Sequence, residues 1–241
     1  MGVNSNSFFQ YNETRATSGY KSAWLYKDPE LGKYCLVSAT ESVPYVFGDQ
    51  DTFEFDILQS PTKGQIAGKP SLEAQDIEVM HHRDNAYRFA KLEGKTLDFM
   101  TINSEFVGYK YAGTLKYRPN NAEADVSRAT VTITPMSAQA TPVLNAREEI
   151  AETLCFASAI YETIKVGEKF DLSVVQTTAT AVYTMKKIGD NNAETDATAS
   201  LTSTNPKEAT ISEEGLYAIT VSDSAKIYAP WTTTVYVESA S

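Results

Sequence analysis

Apolar and polar positions alternate most regularly between Ser71 and Pro135. SLEAQDIEVM reads as a strand, RDNAYRFAKL as a short helix, and KTLDFMTIN, EFVGYKYAGTLKYR and SRATVTITP as three further strands. In the fourth segment Val107, Tyr109, Tyr111, Leu115 and Tyr117 share one face while Lys110, Thr114, Lys116 and Arg118 share the other. In SRATVTITP, Ala129, Val131 and Ile133 oppose Arg128, Thr130 and Thr132. Period-2 alternation of this kind marks half-buried antiparallel strands, so one side of the sheet needs a cover. The helix is the nearest candidate: Asp84 or Asn85 can cap it, Ala86, Phe89, Ala90 and Leu92 form its apolar arc, and Gly94 can take the left-handed position after it.

Either side of this stretch the pattern is weaker. Residues 1–20 are rich in Asn, Ser and Thr, with Phe8, Phe9 and Tyr11 set among them. They read as a frayed terminus or as an arm that docks its aromatics on a neighbouring subunit. KYCLVSA and DTFEFDIL read as strands, the latter alternating Phe53, Phe55 and Ile57 with Thr52, Glu54 and Asp56. Residues 59–70, with two Gly, two Pro and no apolar period, read as a long mobile loop of the kind that orders on binding. Residues 141–152 read as a linker holding a helical turn or two around REEIAETL. From 153 to 241 short strands are predicted at CFASAI, KFDLSVVQ, AVYTMKK, ATASLTS, LYAITVS and TTTVYVE, separated by turn signals such as GDNNAE, TNPKE and EEG, the spacing of a β-sandwich.

The length of 241 residues fits one large or two medium domains. Net charge is −10, spread unevenly: residues 1–140 carry 17 acidic and 14 basic side chains, and 141–241 carry 14 and 7. Neither half has the basic footprint of a protein that grips nucleic acid by its phosphates. No stretch is apolar enough to span a membrane, and MGVNSNSFFQYNETR lacks the pattern of a signal peptide, so a cytosolic protein, or one that leaves the cell by another route, is expected. Cys35 and Cys155 are expected to be buried free thiols.

Catalytic and metal chemistry finds little purchase. His81 and His82 are the only histidines, and neighbours on a strand point to opposite faces; a partial site with Asp84 or a distant cysteine falls short of the four close ligands of structural zinc. No HExxH, GxSxG, Walker A or dinucleotide glycine pattern is present. Glu54, Asp56, Glu73, Glu78 and Asp98 could supply a carboxylate pair for acid–base work, but solvated strand faces explain them equally well. No catalytic residue, metal or cofactor is expected, and the chain is not read as an enzyme. In the second half Tyr183, Tyr217, Tyr228 and Trp231 are candidate contact residues; Tyr217, after the turn glycine of EEGLYAIT, fits a corner tyrosine with its ring in the core and its hydroxyl on the backbone. Trp231, after Pro230, is the least constrained of them.

The order of elements in HHRDNAYRFAKLEGKTLDFMTINSEFVGYKYAGTLKYRP and SRATVTITPMSA resembles the major tail (tail tube) proteins of long-tailed bacteriophages. TIKVGEKFDLSV, EEGLYAIT and TTTVYVE resemble a bacterial Ig-like domain of the kind appended to such proteins. The resemblance implies an all-β fold with one short helix: a tail-tube-like β-sandwich or barrel over 1–140, then an Ig-like sandwich over 153–241. It implies a virion protein, assembled in the host cytoplasm, whose rings, six-fold by family expectation, stack into a tube that DNA traverses without specific binding. Other tail proteins such as tape measure and terminator would be partners, with a weak host-surface contact through the outward Ig-like domain. On this reading Glu54, Asp56, Glu73, Glu78 and Asp98 are candidates to line the lumen and repel phosphate. Phe8, Phe9, Tyr11, Lys63, Gln65, Ile66 and Lys69 are candidates for contacts between subunits, Trp231 for a ligand of the Ig-like domain, and a chain ending near Ala140 should still polymerise. The alternative is a surface adhesion protein that binds glycan through its Ig-like domain.

Overall fold

The computed structural model describes residues 22–38, 40, 42–43, 47, 52–55, 64–67, 72–120, 127–136, 140–158, 160, 163–202 and 206–239. Its first half contains strands β1 (Ala23–Lys27), β2 (Tyr34–Leu36), β3 (Thr52–Phe55), β4 (Gly64–Ala67) and β5 (Gln75–Met80), helix α1 (Arg83–Leu92), then β6 (Leu97–Ile102), β7 (Gly108–Pro119), β8 (Arg128–Pro135) and β9 (Thr141–Val143). The second half contains β10 (Thr163–Lys165), β11 (Ala181–Ile188), β12 (Glu194–Asp196), β13 (Leu201–Thr202), β14 (Thr210–Ile211), β15 (Gly215–Asp223) and β16 (Trp231–Glu238). The fold is all-β with one short helix, as expected, and its sheets pack as sandwiches.

A seven-stranded antiparallel sheet runs β2-β1-β6-β7-β8-β5, with β9 beside the start of β7. The register bears out the alternation seen in the sequence. Leu115 faces Ile133, Tyr117 faces Val131, and Val131 faces Ile77, so odd-numbered side chains of three strands form one apolar face. With Trp24, Phe99 and Tyr111 they make a core that Phe89 and Leu92 of α1 close. At the other end of the sheet Leu25, Met100 and Ile102 point to the opposite face, where Val143 and Ala146 cover them. β7 begins only at Gly108 because the chain turns sharply before it. Phe106 holds a left-handed φ of 64°, and Asn103 Oδ1 accepts from the amides of Glu105 and Val107.

Several expectations give way. AWLYK, not read as a strand, is β1, and it lies between β2 and β6. The expected loop 59–70 contains β4, paired antiparallel to β3 with Phe53 opposite Ile66 and Glu54 opposite Gln65. The expected linker 141–152 is part of the first sheet's structure: β9 pairs with β7, Val143 and Ala146 are buried, and only one 3-10 turn, Arg147–Glu149, forms where helix was expected. A chain cut at Ala140 would lose this cover.

The second half is built on the sheet β10-β16-β15-β11-β12, antiparallel except that β10 runs parallel to β16. The two-stranded β13–β14 ribbon and the segment carrying Phe170 and Leu172 complete its core. AVYTMKK, LYAITVS and TTTVYVE form long strands as read. Among the described residues CFASAI and KFDLSVVQ make isolated bridges, Phe156–Val174 and Phe170–Ala209, rather than strands, and ATASLTS divides into the 3-10 turn Thr198–Ser200 and the two-residue β13. Tyr217 is fully buried, and its hydroxyl donates to the Glu213 and Glu214 carbonyls, the corner geometry expected of it.

Candidate functional site

Helix α1 lies between the two sheets and presents a different face to each. His82, rather than Asp84 or Asn85, is its N-cap: its backbone is extended, and its ring Nδ1 accepts from the Asn85 amide at 3.4 Å. Asn85 is instead a buried anchor, donating to the Met80 carbonyl at 2.8 Å and to Ser38 Oγ at 3.3 Å. Phe89 stacks on Tyr117 with ring centroids 4.9 Å apart. Ala90, expected in the apolar arc, is exposed. Gly94 follows the helix at a φ of 75°, as expected of a residue without Cβ.

The opposite face carries Asp84, Tyr87, Arg88 and Lys91, spaced i, i+3, i+4 and i+7, a stripe that a helix places on one side. Asp84 Oδ1 accepts from the Thr234 amide at 2.7 Å and from Thr234 Oγ1 at 2.6 Å, and Oδ2 accepts from Thr233 Oγ1 at 3.1 Å. The Arg88 guanidinium sits 4.2 Å over the Trp231 ring and donates to the Val37 carbonyl. Burial pulls Arg88 below its ordinary range, with nearby Tyr26 and Asp84 opposing. Lys91 pairs with Glu194 of β12, which Lys186 also reaches at 3.0 Å. Burial alone would raise the Glu194 pKa, but hydrogen bonds from Lys91, Lys186 and Tyr87 outweigh it and hold the carboxyl at about 2.

A cavity of about 460 Å³ opens beside this contact, lined by Tyr87, Lys91, Ile188, Glu194 and Leu216. Its Lys91 and Glu194 already pair with each other. No protein-family model and no curated protein matches the chain. Among solved structures it is similar to the SPP1 Dit (gp 19.1) protein, described as a paradigm of the hub adsorption apparatus in phages infecting Gram-positive bacteria; identity is 13%, the TM-score 0.30, and the alignment covers 90% of this chain and 84% of that one. A TM-score of 0.30 does not establish a common fold.

The residues singled out in the sequence scatter. Glu73 and Asp98 are exposed, and Glu78 pairs with Arg128 at 2.8 Å. Asp76, Glu78 and Asp98 share the outer face of the first sheet with Lys110, Lys116, Arg118 and Arg128, because paired residues in an antiparallel sheet point the same way. That face carries four cations against three carboxylates, and Lys110 is itself paired with Glu149. Glu54 lies on β3, while Gln65 and Ile66 lie on β4. Phe8, Phe9, Tyr11, Asp56, Lys63 and Lys69 lie outside the described residues. Trp231 is occupied by Arg88. Tyr183 donates to the Leu172 carbonyl, and Tyr228 is bonded to Thr178.

His81 Nδ1 lies 2.6 Å from the Tyr117 hydroxyl, so the two histidines serve a ring contact and a helix cap. Among the described residues no group of three or more His, Cys, Asp or Glu could hold a metal ion, and no helix is long and apolar enough to cross a membrane. Cys35 is a buried free thiol, pushed up to about 12 chiefly by burial. Cys155 is free but exposed, contrary to expectation: it sits on the crossing between the sheets, whose neighbours Ala151 and Leu154 take the buried positions. The stripe Asp84–Lys91 was present in the sequence as a helical period of polar residues, and a solvated face gives the same signal.

Proposed function

We propose that the chain is a structural subunit of a long-tailed bacteriophage tail that assembles with itself into stacked rings around a channel. The observation that carries this reading is the unfinished state of the first sheet. α1 seals one face, but the sheet ends in β5, whose outer edge meets, among the described residues, the bridge Thr40–Val79 and the Asn85 side chain at the Met80 carbonyl. Exposed strand edges are guarded in soluble proteins or paired in assemblies, and a neighbouring subunit in a ring would pair this one. The outer face of β5, β8 and β7 supports the same reading in a form different from an acidic lining. Its carboxylates on β5 and cations on β7 and β8 suit charge pairing between copies.

The test is negative-stain microscopy and sedimentation of the full chain at rising concentration. Rings or tubes with a central channel are the expected result, and Glu78→Pro, which removes an outward-facing N–H from the β5 edge, should abolish them. A chain that stays monomeric at every concentration and instead binds cell-wall fragments would refute the reading in favour of adhesion.

A further inference from the structure

We propose that α1 acts as a two-faced clasp that fixes the second sheet on the first, so that the chain is one rigid body rather than a tube subunit carrying a swinging appendage. Domains joined by one connection move relative to each other unless a substantial interface holds them. Here the attachments are separated along the chain and in chemistry. Asp84 satisfies the backbone amide and hydroxyl of Thr234 and the hydroxyl of Thr233, on a strand about 150 residues later in sequence, and those threonines are only 5% and 9% exposed. Arg88 touches both halves with one side chain, its guanidinium plane on Trp231 and one Nη on the carbonyl of Val37. Lys91 and Tyr87 converge on Glu194 at the far end of the same helix face.

The crossing chain supplies a second line of attachment. The Ala151 amide donates to the Tyr34 carbonyl at 2.9 Å, the Leu154 amide to Ala229 at 2.9 Å, and the Ala229 amide back to Glu152 at 2.8 Å. Cys35, Ala151 and Ala229 bury together beneath it. Two lines of contact that do not coincide remove the rotation that either alone would leave free. The device concerns the single chain and stands whether or not rings form.

Spin-label distance measurement on the full chain tests it. Nitroxides are placed at Glu105→Cys in the first half and Glu214→Cys in the second, both exposed, in a Cys155→Ser background; Cys35 is buried. One narrow distance distribution is expected, and Asp84→Ala combined with Glu194→Ala should broaden it roughly twofold or more. Lys186→Ala, which removes a contact to Glu194 from within the second sheet, should leave it narrow. A broad distribution in the labelled parent overturns the proposal, as does a width unchanged by the double substitution. If the double variant fails to fold, Asp84→Ala alone, which removes all three hydrogen bonds to Thr233 and Thr234, is measured with the same labels, and no broadening there overturns it equally.

Discussion

Glu194→Gln isolates the electrostatic part of the contact between α1 and the second sheet. The carboxyl is held at about 2 against a reference value of 4.5, so the native state binds its proton less readily than the unfolded chain does. A depressed native pKa contributes stability that is complete above about pH 5 and is lost as pH falls toward 2. Taken at face value the shift corresponds to a ceiling of about 3 kcal/mol. The side chain of Glu194 is 16% exposed, but its partners Lys91 and Lys186 are 46% and 52% exposed, and solvent screening of such pairs brings the expected contribution down to about 1 kcal/mol. Urea unfolding of the natural chain and of Glu194→Gln at pH 7, 4.5 and 3 reads the difference directly and cancels the titration of every other carboxylate. The gap should be about 1 kcal/mol at pH 7 and close steadily below pH 5. A gap that is the same at pH 7 and pH 3, or one that widens in acid, would refute the assignment of Glu194 as a paired carboxylate.

Two further substitutions probe the first core. Phe89→Ala removes a fully buried ring stacked on Tyr117 and should cost about 3–5 kcal/mol in urea or thermal unfolding; a loss under about 1 kcal/mol would mean that the helix does not close this sheet. At Gly108 an added Cβ would fall 1.7 Å from the Thr101 carbonyl oxygen, whereas at Gly94 it would meet open space. Gly108→Ala should therefore destabilise by more than about 3 kcal/mol, or yield no soluble protein, while Gly94→Ala, strained only by its left-handed backbone, should cost about 1 kcal/mol. Equal effects at the two glycines would contradict the close β6–β7 approach.

What could be read from the sequence were features whose cause is local. RDNAYRFAKL is the helix residue for residue, since the helical period and the following Gly94 act within one segment. β7 and β8 alternate because one face meets the core and the other meets water. Tyr217 could be placed because a corner tyrosine bonds carbonyls three and four residues before it. β1 was missed because AWLYK is too short for a period to show, and its placement depends on β6, whose Met100 lies opposite Leu25. β9 was missed for the same reason: TPV becomes a strand only by pairing with Gly108–Lys110.

The threonines of TTTVYVE carry the deeper lesson about the site. Successive residues of a strand point to opposite sides, so Thr233 and Thr234 can both be buried only if β16 is covered on both faces. One cover is the apolar core that takes Val235 and Val237; the other is the polar stripe of α1. Threonine suits both, because its methyl packs while its hydroxyl donates to a carboxylate. A segment that periodicity reads as half-solvated is thus enclosed at Thr233 and Thr234, with Asp84 taking the place of water there, while Tyr236 further along the strand is exposed. A polar helix face and a threonine-rich strand face, each of which alone looks solvated, are mutually complementary surfaces here, and the pairing could be found only by asking which charged face fits which hydroxylated one.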